Sequence, residues 1–291
     1  MHLLLRLFYF KLYNIRRKIY EFGRPEIYIL GREFRAMTDD TGSRQVQATK
    51  TSLEIVEELR ELDGARVTEL AEILDLSPST VHTHLSTLID VDYVVKSGDF
   101  YHLSLHFLGL ANYVRNRRNA YRVAESYTDQ LARETECRAV FVVEENGRGV
   151  YMYTYSGKHA VWKYSTVGKR FPLHQTAAGK AILSQLPQER VVNIINEWGL
   201  PASTKNTITD RSELLNELDA VEDRGVAFND EEQLSGVKAV GVPVDGSDGR
   251  VVGAFSVASP ANRMTKDRFK EEIPKILLGV ANEFELENSM A

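Results

Sequence analysis

Residues 51–103 constrain the fold more than any other stretch, because three short helices and a hairpin follow one another there. Gly64 ends a first amphipathic helix, and the spacing of apolar residues predicts a second over Val67–Leu74. A third helix begins after Ser77, a favourable N-cap. Pro78 stands at its first position, where the missing N–H of proline is harmless. This order predicts a helix-turn-helix.

The β-rich runs YVV and FYHL follow the third helix and flank a turn at Lys96–Asp99, so they predict a two-stranded hairpin. Ala71 is small, as the close crossing of two helices in this motif requires. Three helices followed by a hairpin form a winged helix-turn-helix, which we predict over residues 47–104 as the DNA-binding domain.

The third helix has two faces of different chemistry. Val81, Leu85 and Leu88 recur at positions i, i+4 and i+7 and are expected to face inward. The outward side chains then suit hydrogen bonds to base edges and phosphates. We predict DNA contacts from Thr68, Ser77, Ser79, Thr80, His82, Thr83, Ser86 and, in the wing, Lys96. The alternative is a solvated face in a winged helix that contacts other proteins.

The net negative charge of this region argues against DNA binding by electrostatic attraction alone. Residues 47–104 hold four basic residues against eleven acidic ones, a net charge of −7. Counterion release should therefore contribute little to affinity. Either the acidic residues lie away from DNA, or the protein works at high salt, where attraction to phosphate is screened within a few ångström. The composition after Met37 favours such a halophilic setting.

A helix follows the wing over residues 105–119, with an apolar face that includes Phe107 and Val114 and a basic end that starts at Arg115. It is predicted to connect two domains. Residues 120–291 then form a second domain of mixed α and β character. Two alternating strands surround Asn146-Gly147, a strong hairpin signal.

The sheet of this second domain is expected to continue through AVWKYSTVG, AVGVPV and RVVGAFSVAS. Helices are predicted from Thr176, over Gln188–Trp198, from Asp210 to Gly225, and near the C-terminus. The fold class is therefore α+β, an antiparallel sheet with flanking helices. The alternating Tyr151, Tyr153 and Tyr155 are expected on one face of a strand, where they would either wall a pocket or pack in the sheet.

Composition excludes several classes of protein. Cys137 is the single cysteine, which rules out an intrachain disulfide framework and suits a reducing cytoplasm. It begins a predicted strand and is expected in the core. No apolar run approaches the roughly 18 residues of a membrane span. The Gly179-Lys180 pair lacks the other residues of a phosphate-binding loop. We predict no cofactor, no metal site and no catalytic residue.

The first 46 residues differ from the rest of the chain. Residues 1–36 mix aromatic residues with an excess of Arg and Lys, and a polar stretch begins at Met37. Three interpretations are open: a basic amphipathic segment on a membrane surface, an extra helix packed on the body, or an upstream extension with Met37 as the physiological start. Residues 37–46 are expected to form a disordered tail.

Two motifs make the chain resemble the IclR family of transcriptional regulators, over Thr51 to about Glu287. The first is LSPSTVHTHLSTL followed by the wing. The second is FPLHQTAAGKAILSQLP, which is similar to that family's Pro-Leu-His-x-Thr-Ala-x-Gly-Lys-Ala stretch. GVAFNDEEQLSGVKAVGVPV and VVGAFSVASP look like later segments of the family. The resemblance implies a winged helix, a connector helix used in dimerisation, and a GAF-like domain that binds a small effector.

The resemblance also implies which residues surround the effector: His174, Thr176, Ala177, Gly179, Asn229, Ala239, Ser256 and Ala258. Ser256 is retained, but Asn229, Ala239 and Ala258 stand where some members carry aspartate, cysteine and a second serine. In the third helix of the winged helix-turn-helix, Pro78 and Thr83 stand where many members carry Lys and Arg.

Thr176 is expected to cap a helix whose first N–H groups suit an anion, which suggests an organic or sugar acid as the effector. The alternative is a purely structural loop.

The predicted function is that of a cytoplasmic DNA-binding transcriptional regulator, a homodimer or dimer of dimers on a near-palindromic operator, modulated by a small metabolite. The alternative is a metabolite-binding module or an enzyme that uses the winged helix only for protein contacts.

Overall fold

The computed structural model describes residues 45–158 and 167–290, and these form two compact units that divide between Leu103 and Ser104. The three interpretations of the leader lie outside the described residues. So does most of the strand predicted for AVWKYSTVG, of which only Val167 and Gly168 are described, in a turn.

The N-terminal unit contains three helices and a hairpin, so the predicted winged helix-turn-helix is confirmed. Its elements are α1 (Gln47–Glu61), α2 (Val67–Leu74), α3 (Pro78–Asp90), β1 (Val94–Ser97) and β2 (Phe100–Leu103). The strands pair antiparallel. Because β1 extends through Ser97, the turn is shorter than predicted and is made by Gly98, at a φ of +61°, and Asp99. A core that includes Ile55, Leu70 and Leu85 joins the three helices.

Local chemistry sets the boundaries of these helices. The Ser77 hydroxyl accepts a hydrogen bond from the Thr80 N–H at 3.1 Å and so caps α3, with Pro78 in its first turn. Asp75 ends α2 in the left-handed conformation, with a φ of +54°. Ala71 is buried beside Leu70, as the close helix crossing requires.

The C-terminal unit alternates helices with antiparallel strands, as the sequence predicts. The chain forms α4 (His106–Asn116), α5 (Asn119–Thr135), β3 (Arg138–Glu145), β4 (Arg148–Ser156), β5 (Arg170–Pro172), a 3-10 turn (Leu173–Gln175), α6 (Ala177–Ser184), α7 (Gln188–Trp198), α8 (Arg211–Arg224), β6 (Ala227–Asp230), β7 (Val237–Asp245), β8 (Val251–Pro260), a π-helical turn (Arg268–Glu272) and α9 (Ile273–Ser289). The short strands β5 and β6 have no counterpart in the sequence prediction.

One sheet organises this unit, with the strand order β5-β4-β3-β8-β7-β6 and every neighbouring pair antiparallel. Helices α5 and α9 cover one face over a core that includes Phe141 and Phe255. Helices α6, α7 and α8 cover the other face over Val140 and Val142. We call this second face the α6 face. Cys137 is buried, as expected.

The expectation that three tyrosines of β4 share one face is wrong. A register shift in the β3–β4 pair places Tyr153 opposite Phe141 and Tyr151 opposite the next residue, Val142. Since this leaves Met152 as an extra residue, the alternation of β4 reverses there. Tyr153 therefore packs with α5 and α9, whereas Tyr151 packs on the α6 face.

Within the described ranges, no helix combines the length and hydropathy that crossing a membrane requires.

Candidate DNA-binding and effector sites

Helix α3 presents the outward polar face that the sequence predicts. Its buried residues are Val81 and Leu85, whereas Ser86 is half-buried. The other predicted DNA-binding residues are all exposed: Thr68, Ser77, Ser79, Thr80, His82, Thr83 and Lys96. By contrast, His84 turns inward and its Nδ1 lies 2.8 Å from the Ser52 hydroxyl of α1. These positions are consistent with the predicted face.

The hydroxyl groups at the start of α3 are linked to one another and to the helix backbone. The Ser77 hydroxyl lies 2.8 Å from the hydroxyls of Ser79 and Thr80. The Thr83 hydroxyl donates to the Ser79 carbonyl at 2.9 Å. The hydrogen of Thr83 is thereby used, which leaves an acceptor oxygen and a methyl group for a partner. Thr83 is therefore suited to accept a hydrogen bond or to contact a thymine methyl.

The acidic residues of this unit lie mainly outside α3, whose sequence contains one acid, Asp90, at its last position. Four glutamates belong to α1, and two of them, Glu57 and Glu61, lie 2.9 and 2.6 Å from Arg60. In the wing, the Lys96 ammonium lies 5.3 Å from the centre of the Tyr101 ring. The positive charge of Lys96 is therefore held against an aromatic face.

The structure brings the eight predicted effector residues together on the α6 face. Across the sheet, Asn229 pairs with Ala239, and Ala239 pairs with Ala258. Ser256 lies two residues before Ala258 and opposite Gly241. The remaining four, His174, Thr176, Ala177 and Gly179, belong to the 3-10 turn and the first turn of α6. The start of α6 thus lies over a row of small side chains.

Two glycines allow this close packing of α6. A Cβ at Gly241 would lie 2.6 Å from the carbonyl carbon of Ala177, and a Cβ at Gly179 would lie 2.0 Å from the carbonyl oxygen of Leu173. Thr176 caps α6 as predicted, since its hydroxyl accepts from the Gly179 N–H at 2.9 Å. Any larger residue at either glycine would displace the beginning of the helix.

Several polar side chains of the predicted site are already used within the protein. Asn229 donates to the Gln175 carbonyl and accepts from the Glu232 N–H at 3.1 Å. The Ser256 hydroxyl donates to the Val240 carbonyl at 2.7 Å. These groups hold the loops and strands around α6, and each has limited capacity left for a ligand.

His174 is buried and neutral. Its Nε2 donates to the Pro201 carbonyl at 3.1 Å, and the Gln175 amide donates to the same oxygen at 2.7 Å. Burial, with the nearby charge of Lys180, lowers the pKa of His174 to about 4, although the hydrogen bond to Pro201 opposes the shift. Because Nε2 carries the hydrogen, Nδ1 is left as an acceptor.

Lys180 and Glu232, which are 1% and 8% exposed, form a buried ion pair that was not predicted from the sequence. The signal was a lysine in the apolar helix AAGKAIL, where an unpaired charge would be costly. Burial raises the pKa of Glu232, and the Lys180 ammonium opposes that shift. The pair joins α6 to the segment after β6.

A cavity of about 470 Å³ in this unit is lined by residues of α4, α6, β3, β4 and β8 that include Arg115, Glu144 and Tyr151. None of the eight predicted effector residues lines it. The cavity therefore differs in its lining from the row of small residues at the start of α6, although Tyr151 belongs to the α6 face.

Comparison with known proteins assigns both units. Residues 112–284 match the family described as bacterial transcriptional regulator IclR, C-terminal. The chain belongs to the IclR family. Residues 49–96 match the bacterial regulatory proteins of the arsR family, a helix-turn-helix group. This IclR-family protein is thus a DNA-binding transcriptional regulator, and its C-terminal domain belongs to the class that binds small-molecule effectors.

The chain is 34% identical to a probable HTH-type transcriptional regulator ArcR from Halobacterium salinarum, over 84% of this chain and 94% of that protein. It is similar to the Thermotoga maritima IclR crystal structure, with 24% identity, a TM-score of 0.72, and coverage of 84% of this chain and 100% of that one. The inducer-binding domain of the transcription factor PobR from Acinetobacter, a double mutant in complex with 3-hydroxybenzoic acid, is 30% identical. Its TM-score is 0.52, and the match covers 56% of this chain and 96% of that domain.

Proposed function

We propose that this IclR-family regulator reads its operator with the outward face of α3 and the wing, and that a small organic acid bound at the first turn of α6 changes its operator affinity. The observation that carries the DNA-binding part is the hydroxyl-rich face of α3, whose exposed residues are Ser77, Ser79, Thr80, His82 and Thr83. Thr68, Ser86 and Lys96 complete the proposed surface. The base sequence is read through hydrogen bonds and methyl contacts, and electrostatic attraction to the phosphates contributes little.

The effector part rests on the eight residues on the α6 face and on the chemistry of α6 itself. The N–H groups at the beginning of a helix favour an anion. The PobR inducer-binding domain, which is 30% identical, holds 3-hydroxybenzoic acid. Both observations support an organic acid as the effector class. The effector site and the DNA-binding surface would be coupled if the acid binds one of two states of the protein more tightly than the other.

A homodimer contact through α4 is supported by the exposure of that helix. None of its residues is buried, and large apolar side chains such as Leu108 and Tyr113 are 66% and 72% exposed. An apolar helix face of this kind favours a second copy of the chain as its partner. Two copies would present two α3 helices to half-sites about 34 Å apart.

A high-salt cytoplasm is the setting that fits the charge of the DNA-binding unit. Residues 47–104 have a net charge of −7, and the relative described above comes from Halobacterium salinarum. At high ionic strength the repulsion between this unit and phosphate is screened. We assign no catalytic step to the protein.

The role of Thr83 can be tested by selecting preferred sites from random double-stranded DNA with the full chain and with Thr83→Ala. The expected result is a changed preference at one or two base pairs in each half-site, with an unchanged melting temperature. Ser289→Ala is the matched control, because that hydroxyl also donates to a carbonyl of its own helix, at 2.8 Å, but in the other unit. An identical preference for the parent and Thr83→Ala would show that Thr83 does not read the operator.

A further inference from the structure

Arg138, the first residue of β3, carries a guanidinium that the described residues do not fully satisfy. Its Nη2 is buried and has no hydrogen-bond partner within the described ranges. Its Nε donates to the Thr154 hydroxyl at 3.3 Å, and its Cζ lies 5.2 Å from the centre of the Tyr151 ring. Both contacts are to uncharged groups. Burial lowers the pKa of Arg138, and a hydrogen bond with Tyr151 opposes the shift.

No carboxylate neutralises this arginine in the part of the chain that the structure describes. Arg138 as a whole is half-buried, but its Nη2 is buried, and native proteins pair nearly all buried polar atoms. The buried Nη2 therefore remains available as a hydrogen-bond donor to a ligand.

The position of Arg138 connects it to the candidate effector site. Arg138 lies directly opposite Ala258, which pairs with Ala239, which pairs with Asn229. Arg138 thus ends the same row of small residues on the α6 face. Two of those positions, Ala239 and Ala258, offer no polar atom to a ligand.

The other polar side chains of the site already form hydrogen bonds within the protein. Asn229 is bonded to Gln175 and Glu232, Ser256 to Val240, and Thr176 to Gly179. The buried Nη2 of Arg138 is therefore the charged donor left open at the end of the row.

We propose that Arg138 binds the carboxylate of the effector and makes the site selective for small monocarboxylic acids. This inference rests on the effector site of the proposed function and adds its charge-recognising residue. One guanidinium neutralises one negative charge, so a monoanion fits better than a phosphate dianion, whose second charge would stay buried and unpaired. The aromatic ring of Tyr151, whose centre lies 4.4 Å from that of the Phe171 ring at an interplanar angle of 33°, supplies an apolar wall beside the charge.

Thermal unfolding of the full chain with acid and amide probes tests this assignment at fixed chloride concentration. The probes are 3-hydroxybenzoate and pyruvate, with 3-hydroxybenzamide, pyruvamide and inorganic phosphate for comparison. At least one of the two acids is expected to raise the melting temperature, whereas its amide and phosphate do not. Arg138→Met is expected to weaken binding of that acid roughly 10- to 100-fold, and Arg138→Lys to weaken it less.

Arg148→Met is the matched control. Arg148 also begins a strand and has its Cζ over an aromatic ring, 4.8 Å from the centre of Trp198. This variant should bind the acids as the parent does. Without any ligand, Arg138→Met should melt at or above the temperature of the parent, because a buried donor without a partner in the described ranges has been removed. A purely structural arginine would give a lower temperature.

Three outcomes would overturn the assignment: equal binding of acid and amide, equal binding of the acid by the parent and Arg138→Met, or no binding of either acid by the parent. Operator binding by the full chain distinguishes the two proposals. If an acid releases the operator from the parent and from Arg138→Met equally well, the proposed function stands and the role of Arg138 fails.

Discussion

The ammonium nitrogen of Lys180 lies 2.7 and 2.8 Å from the two carboxylate oxygens of Glu232, and this ion pair joins α6 to the segment after β6. A carboxylate oxygen of Glu217 in α8 lies 3.6 Å from the same nitrogen. The Thr207 hydroxyl donates to the Glu232 carbonyl at 2.6 Å, which fixes the backbone of that residue. The pair therefore holds two sides of the candidate effector site together.

Lys180→Met should lower the free energy of unfolding by about 3–5 kcal/mol, because it leaves the buried Glu232 without its counter-charge. Urea denaturation followed by fluorescence measures this loss. Lys180→Met combined with Glu232→Met should recover at least half of it, since neither charge then remains buried. Arg60→Met, which breaks an exposed pair with Glu57, is the control and should leave stability nearly unchanged. A fully stable Lys180→Met would contradict the role assigned to the pair.

Gly179→Ala should destabilise the protein by roughly 2 kcal/mol or more, because the new Cβ would meet the Leu173 carbonyl oxygen at 2.0 Å. Gly279→Ala is the matched control, since this helical glycine in α9 has nothing within 4 Å of an added Cβ. That change should stabilise the protein by up to about 1 kcal/mol. Melting temperatures of the two variants check the prediction, and a Gly179→Ala variant as stable as the parent would refute the close packing of α6.

His174 should make stability fall as the pH drops. Its pKa of about 4 in the folded protein lies below the ordinary value of 6.5, so the unfolded chain binds more protons between these values. The contribution is fully present above about pH 6.5 and is lost progressively towards pH 4. Between about pH 7.5 and about pH 5 the expected loss is roughly 2 kcal/mol.

Urea denaturation at these two pH values measures the loss for the parent, for His174→Gln and for His82→Gln, which changes an exposed histidine of α3. Only in His174→Gln should the free energy of unfolding depend less on pH than it does in the parent. If the free energy of unfolding of His174→Gln fell between the two pH values as much as that of the parent, His174 would not be the group that titrates.

Short-range signals in the sequence were sufficient for most of the fold. Ser77 and Pro78 located the start of α3, Thr176 located α6, and Asn146-Gly147 located the β3–β4 turn, because caps and tight turns depend on neighbouring residues. The three tyrosines of β4 were misplaced, since the extra residue at Met152 depends on pairing with another strand. Strands as short as β5 carry too few residues to show a period.

The candidate effector site was only partly predictable. The residues around Thr176 form one continuous motif, so their proximity follows from the sequence. Arg138, however, lies far from that motif along the chain, and its place beside Ala258 follows from strand order. Lys180 was recognisable as an unusual charge in an apolar helix, but its partner, Glu232, comes from a loop 52 residues away.

The most direct test of DNA reading by α3 is the affinity of the full chain for a site selected from random DNA, compared with a scrambled site, across a salt series. We expect sequence-dependent binding that persists at high salt. The slope of log K against log salt should be about −4 per bound chain or shallower, because the DNA-binding unit has four basic residues. Equal affinity for both sites at every salt concentration would contradict this account.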